Sequence, residues 1–475
     1  MSLKINADIF EKSVNEVAGG IVCMAKFDGE TYLVSTADIE FSGEKVTEGD
    51  VTYTKAPLNH ENANVLRKYF PFTAPVRVLG KERSFGVGDR LGIATPGHIK
   101  VFSDYDAYPV FAQQSIRELN LTNRTYEDVL DAASFAVYRD GFKKGFGADG
   151  DHLKTEKDVE YALSLGFTMI TLDCSDHIKN NVTDESCKDY VIPAEFADKY
   201  LGKKFDIGEG VTLEFDEAEL KKILVIYKDA VDFAVSIYEK FFATGKYDAD
   251  FEISIDETAT PTTPLQHFFV ANELIARGVK CATVAPRFCG EFQKGVDYIG
   301  NLEQFESEMV VHSVIARYFG YKLSIHSGSD KFSAFPIIGK HTKGIFHVKT
   351  AGTNWLEAMR VVAIVDPALY RAIHKYALIA FAEASTYYHV TTNLNNIADV
   401  DTLTDAQLPE LFNQNDARQL IHITYGLILN KKTADGAYEF KDKLYKLWAD
   451  NESVYTDALY KHIGKHCDLL GIAKA

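Results

Sequence analysis

The pattern of apolar and polar positions changes character near residue 84. Beyond it, short runs rich in β-branched and aromatic residues alternate with longer stretches whose apolar positions recur every three or four residues. The short runs are SFGVGD (84–89), YPVFAQQS (108–115), GFGADGDH (145–152), FTMITLDCSDH (167–177), FEISIDET (251–258), CATVAPRF (281–288), YKLSIHSGS (321–329) and GIFHVKTAGT (344–353). Helical patterns such as TYEDVLDAASFAVYRDGF, PLQHFFVANELIARG and LEQFESEMVVHSVIARYFG separate most of them. Repeated strand–helix units imply a parallel sheet with right-handed crossovers. Eight strands over 84–353 predict an α/β fold, a (β/α)8 TIM-like barrel. A doubly wound open sheet is the alternative. It is weakened because GVGDRLG lacks the spacing of a dinucleotide-binding GxGxxG turn.

Three segments depart from this rhythm. Residues 1–80 predict a small N-terminal α/β segment, with two strands around the Asp28–Gly29 turn and a short helix in HENANVLRKYFP that stops at Pro71. Within the barrel domain, 81–395, an insertion at about 180–245 follows the fourth strand. It falls on the face where barrel chemistry occurs, as a lid or as a purely structural excursion. After the eighth strand, NWLEAMRVVAIV and ALYRAIHKYALIAFAEAS read as the last barrel helix, and 396–475 as a C-terminal helical addition.

Composition narrows the function. The 475 residues are 46% hydrophobic, with no fixed-period repeat and no apolar run of bilayer-spanning length. The first residues lack the basic and apolar regions of a secretory signal. A net charge of −17 repels nucleic acid and anionic membranes, so neither is an expected partner. An anionic substrate would need local cations against that field. The six cysteines form no CxxC and fit a reducing cytoplasm.

The expected strand ends are unusually polar. In order they carry Asp89 with Arg90, Gln113 with Gln114, Asp151 with His152, Asp173 with Asp176 and His177, and Asp256 with Glu257. The later ones carry Arg287 with Glu291, His326 with Asp330 and Lys331, and His347 with Lys349. A strand buried on both faces is expected to be apolar to its end, so this recurrence predicts a ligand pocket at the barrel mouth. Histidines and carboxylates without thiolate pairs suit a divalent cation such as Zn²⁺ or Mn²⁺. His152 and His326 are the candidate imidazole ligands, and Glu291 the candidate carboxylate, with Asp297 its rival. Asp151 and Glu257 fit either proton transfer or the orientation of a ligating histidine. Arg90, Arg287, Lys331 and Lys349, with Gln113, are the candidate substrate-binding groups. No EF-hand, P-loop or GxSxG pattern competes.

The stretches NHENANVLRKYFP, SFGVGDRLGIATPGHI, VFAQQSIRE, GFGADGDH, DETATPTTPLQHFF, SIHSGSDKFS, FHVKTAGTNWLEA and RQLIHITYG together resemble the bacterial tagaturonate epimerases, from about residue 59 onward. The resemblance implies a metal-dependent isomerase that interconverts D-tagaturonate and D-fructuronate, anionic sugar acids of hexuronate catabolism. It implies Asp151 and Glu257 as the acid/base pair and His152 and His326 as metal ligands, with an acid near 291 as the third. The carbon to be inverted is β to both the ketone and the carboxylate, so its C–H is not acidic. Retro-aldol cleavage and recombination is then the expected route, preferred to transient oxidation because no dinucleotide fingerprint is present. A metal-dependent aldolase or another ketose or uronate isomerase, and a uronate-binding sensor, are the rival functions. Arg418, His422 and Tyr425 of RQLIHITYG either close the pocket or brace it.

Overall fold

The computed structural model describes residues 3–350 and 352–475. Ala351, inside the eighth expected strand stretch, lies outside the described residues, as do Met1 and Ser2. Eight parallel strands close a barrel: β1 (Arg83–Gly86), β2 (Tyr108–Ser115), β3 (Gly147–Leu153), β4 (Met169–Asp173), β5 (Asp250–Ile255), β6 (Thr283–Pro286), β7 (Lys322–Ile325) and β8 (Phe346–Lys349). Each pairs with its sequence neighbours, and β8 pairs with β1 to complete the ring. All eight overlap the expected runs, most of them shorter, with Arg83, Leu153 and Asp250 each one residue outside the run.

The barrel interior departs from an apolar expectation. Ser84, Asp149, Thr171, Glu252, Thr283, Lys322, Ser324 and His347 are all buried on the strands. Most of them hydrogen-bond to one another, although Ser324 Oγ and His347 Nε2 have no partner among the described residues. Thr171 Oγ1 lies within hydrogen-bond distance of Asp149, at 3.0 Å, and of Glu252, at 3.1 Å, and Lys322 Nζ donates to Ser84 Oγ at 2.8 Å and to the carbonyl of Lys81 at 2.7 Å.

A six-stranded antiparallel sheet and the helix His60–Tyr69 precede the barrel. The Asp28–Gly29 turn links Gly20–Phe27 to Glu30–Ser35, with φ of 47° and 91°, the left-handed pair that a two-residue hairpin requires. The sheet packs on barrel helix Tyr126–Arg139, where Tyr138 donates its hydroxyl to the Val22 carbonyl.

Two expectations change. The segment after β4 begins with short helices (Asp184–Cys187, Ala194–Tyr200) and a hairpin (Lys204–Asp206, Thr212–Glu214). The remainder, Glu217–Phe241, is the barrel's own fourth helix, buried along one side and packed on Pro264–Ala276. The excursion is therefore narrower than 180–245. The hairpin's Phe205 and Phe215 pack on Phe268 of that neighbouring helix, away from the mouth.

The second change concerns ring closure. Thr353–Val365, expected to be the last barrel helix, belongs instead to a separate helical cluster with Pro367–Ala384 and the segments after it. The place between the first barrel helix, Thr95–Asp104, and the seventh, Phe335–His341, is filled by Glu452–Leu469. Its Ile463 and Cys467 join the main core. A Cβ on Gly97 would meet Leu459 Cδ1 at 2.7 Å, and one on Gly339 would collide with the Leu470 carbonyl, so both positions need glycine for this close approach. The tail then bonds back to the barrel, with Asp106 N donating to Ala473 O and Ala475 N to Asp104 O.

Candidate active site

A cavity of about 840 Å³ opens at the C-terminal ends of the strands. The sequence GADGDH builds one wall. Asp149 and Asp151 sit two apart on β3 and therefore share the inward face. Strict alternation would turn His152 outward. A register shift against β4, between the pairs Ile170–Gly150 and Leu172–Leu153, inserts an extra residue there, and His152 takes φ +54°. This bulge re-aims the imidazole toward the mouth, at a conformation that few side chains adopt.

His152 thereby meets His326, which follows β7: their ring centroids lie 4.9 Å apart at 84°. Ligand atoms of His152, His326 and Asp256 all lie within 4.8 Å of one another. His326 Nδ1 is 3.2 Å from Asp256 Oδ1, and its Nε2 is 2.8 Å from Glu252 Oε1. His152, Asp173 and Glu257 form a second, overlapping group within the same limit. His152 Nδ1 and Asp173 Oδ2 are buried with no hydrogen-bond partner among the described residues. Two imidazoles, carboxylates and an unsatisfied ring nitrogen fit a divalent cation. Burial alone would raise the Asp256 carboxyl, but His326 and His152 outweigh it and hold it below the usual range.

Beneath this group stands Lys349. Its Nζ lies 2.7 Å from Asp151 Oδ1, 2.8 Å from Asp149 Oδ2 and 2.9 Å from Glu252 Oε1. Burial opposes its charge, yet the three carboxylates push its pKa well above the ordinary lysine value. Burial would also raise Asp151, but Lys349, then His152 and His326, hold it low and ionised. Asp149 is pushed up to about 7, by burial and by its neighbours Asp151 and Glu252, against the pull of Lys349.

The expected site residues separate into two sets. Gln113, Asp151, His152, Glu257, Arg287, Glu291, His326 and Lys349 line the cavity. Glu291 does so beside Arg287, at 3.6 Å, and His389, at 3.8 Å, rather than with the two histidines. Its rival Asp297 accepts from Ser333 N and Oγ and from Tyr298 N, which commits it to the loop before Phe335–His341. Asp256 is the carboxylate that the fold brings to the histidines. Arg90 and Lys331 do not line the cavity. Arg90 pairs with Glu118 at 2.8 Å and stacks 4.0 Å over Tyr425. Lys331 Nζ donates to the carbonyls of Gln293, Val296 and Ser329.

The stretch 178–216 contributes nothing to the cavity, which instead receives Tyr387, Tyr388 and His389 from beyond the barrel. Arg418, His422 and Tyr425 stand behind it. Arg418 donates to Asp330 Oδ2, Gly295 O and Phe412 O, and the Tyr425 hydroxyl lies 2.9 Å from that of Tyr388.

Fold and site together define a (β/α)8-barrel enzyme with its reactive groups on the strand ends. The sequence profile of the tagaturonate epimerases matches residues 10–470. A tagaturonate/fructuronate epimerase from Thermotoga maritima is 42% identical, over 98% of this chain and 97% of that protein. The crystal structure of the fructuronate-tagaturonate epimerase UxaE from Cohnella laeviribosi with one glycerol is 49% identical with a TM-score of 0.95, covering 98% of this chain and 97% of that one. The native form of the same enzyme gives a TM-score of 0.94. This chain belongs to the tagaturonate epimerase family and is an isomerase of the epimerase class.

Proposed function

We propose that this enzyme interconverts D-tagaturonate and D-fructuronate by metal-assisted retro-aldol cleavage and recombination, within hexuronate catabolism in the cytoplasm. The observation that carries the reading is the convergence of His152, Asp256 and His326 within 4.8 Å, beside Asp151 and Glu257, in the cavity of a family member. Those three residues would hold the divalent cation, with Asp173 and Glu257 adjacent. When bound, it supplies Lewis acidity for negative charge that develops on substrate oxygens.

Asp151, kept ionised by Lys349, accepts the proton of the hydroxyl on the carbon to be inverted. The bond between that carbon and the one next to the ketone breaks, and its electron pair becomes the enediolate of a three-carbon fragment. The other fragment is a three-carbon hydroxy-aldehyde acid. Rotation presents its opposite face, the carbon–carbon bond re-forms, and the proton returns to oxygen from Asp151 or Glu257. Lys349 remains a charged structural ammonium, which disfavours imine chemistry at this lysine. The six cysteines are all free, in keeping with a reducing compartment.

Single turnover in deuterium oxide tests the route. Conversion of tagaturonate to fructuronate with no deuterium at the inverted carbon is expected. Stoichiometric label there would defeat the retro-aldol step, and accumulating three-carbon products would make the enzyme an aldolase. Activity is expected to vanish with a chelator and to return with Mn²⁺ or Zn²⁺; a chelator without effect would remove the metal.

A further inference from the structure

A uronate carboxylate entering this acidic mouth requires a cation that no protein carboxylate already occupies. Most cations of the cavity are committed. Lys349 is shared among three acids, and Lys154 pairs with Asp176 at 2.7 Å. Arg287 donates to the Thr258 carbonyl and faces Glu291. Arg117 lies exposed at the rim, 5.7 Å over Tyr388. Lys294 differs. It is half-buried in the cavity, and among the described residues it makes no ion pair and one side-chain hydrogen bond, to Ser327 Oγ at 3.2 Å.

Its backbone, by contrast, is held from several sides. Lys331 Nζ clasps the carbonyls of Gln293 and Val296 at 2.9 and 2.7 Å. Arg418 Nε donates to Gly295 O at 2.7 Å, and Gln419 Nε2 to Lys294 O at 3.3 Å. Gln293 Oε1 accepts from Thr391 N and Oγ1, each at 3.0 Å. Gly295 has φ +75°, and a Cβ there would meet His422 Nδ1 at 3.0 Å. A rigid loop thus presents an uncommitted ammonium beside Ser327, the residue next to His326. That is preorganisation for an anion.

We infer that Lys294 is the specificity-determining cation that binds the substrate carboxylate and retains the hydroxy-aldehyde acid while its aldehyde face inverts. The inference rests on the function proposed above. It also gives Lys331, Arg418 and Gln419 positioning roles, since each fixes the backbone that carries Lys294. Burial, and after it Arg90, lowers the pKa of this lysine, with Glu118, Asp151 and Glu257 pulling the other way; an arriving carboxylate would offset the cost of desolvation by pairing with it.

Calorimetric binding of D-fructuronate to the metal-loaded wild type, K294M, K294Q and K294R tests this, with D-fructose as the neutral control and tagaturonate turnover measured alongside. With melting temperature unchanged, K294M and K294Q are expected to weaken fructuronate binding about 10- to 100-fold, the loss of one charge-assisted hydrogen-bonded pair. K294R is expected to recover much of it, and fructose affinity is expected to stay within about twofold. Fructuronate affinity within about threefold of wild type in both neutral variants would overturn the inference, as would an equal loss for fructose. Wild type that binds fructuronate without turning over tagaturonate would overturn the function alone; wild type that does not bind it overturns both.

Discussion

The exchange of Glu291 for Asp256 as the carboxylate grouped with both histidines turns on side-chain direction. Glu252, Ser254 and Asp256 are spaced by two, so the inward face that takes Glu252 into the barrel carries Asp256 to the mouth. That alternation was available in FEISID, but the adjacent Glu257 obscured it. Glu291 lies past the end of β6, where no strand period fixes its direction. Lys331 and Arg90 show the same limit for cations, because a sequence gives the charge but not where a long stem delivers it. The bulge at His152 was legible only as glycine and acid enrichment in GADGDH; its register shift depends on β4. Metal analysis of purified variants separates the two acids. H152A, H326A and D256N are each expected to lose stoichiometric divalent metal, whereas E291Q retains it. Full metal in D256N, or its loss in E291Q, would return the ligand role to Glu291.

At the scale of elements, the eight strands were readable because each is a short apolar or β-branched run bounded by polar residues, and the parallel ladder needs that pattern. The fourth helix was hidden because the short elements before it form a continuous stretch with it, and helical period alone does not say which helix covers which strand. The excursion before it is tied to the barrel by ion pairs such as Lys199–Glu273 at 2.7 Å, and its hairpin by a charged cluster at Glu209. Glu209, in the hairpin turn, pairs with Arg317 at 2.7 Å and with Lys343 at 3.2 Å. Hydrogen bonds from Arg317, and then from Lys343, against slight desolvation, lower its carboxyl from 4.5 to about 2. A depressed carboxyl contributes its stabilisation above the unfolded value and loses it as pH falls through the folded one. Hydrogen-exchange protection of the 204–214 amides, corrected for intrinsic rates, is therefore expected to fall between pH 4.5 and 2. E209Q is expected to show that weaker protection already at pH 7. Because the contact is partly exposed, the effect is local and modest; protection that ignores both changes would dismiss the contact.

At the scale of the molecule, the amphipathic period of VYTDALYKHIGKHCDLL announced a helix but not its berth between the first and seventh barrel helices. Sequence proximity favoured NWLEAMRVVAIV for that place, and only three-dimensional packing reassigns it. The close approaches at Gly97 and Gly339 make the assignment testable. G339A forces a methyl against the Leu470 carbonyl and is expected to destabilise the fold by about 1–3 kcal/mol, as overpacking does. A calorimetric melting temperature equal to wild type would show that the last helix does not dock as closely as described.

The berth of Glu452–Leu469 also has a consequence for folding during biosynthesis. While the chain is being made, all eight strands leave the ribosome well before the helix that covers the flank between β8 and β1. Until that helix arrives, the apolar sides of Thr95–Asp104 and Phe335–His341 stay open to solvent and to other nascent chains. A ribosome stalled shortly before residue 452 would thus hold a barrel with an uncovered seam, the form in which chaperone capture or aggregation is most favoured.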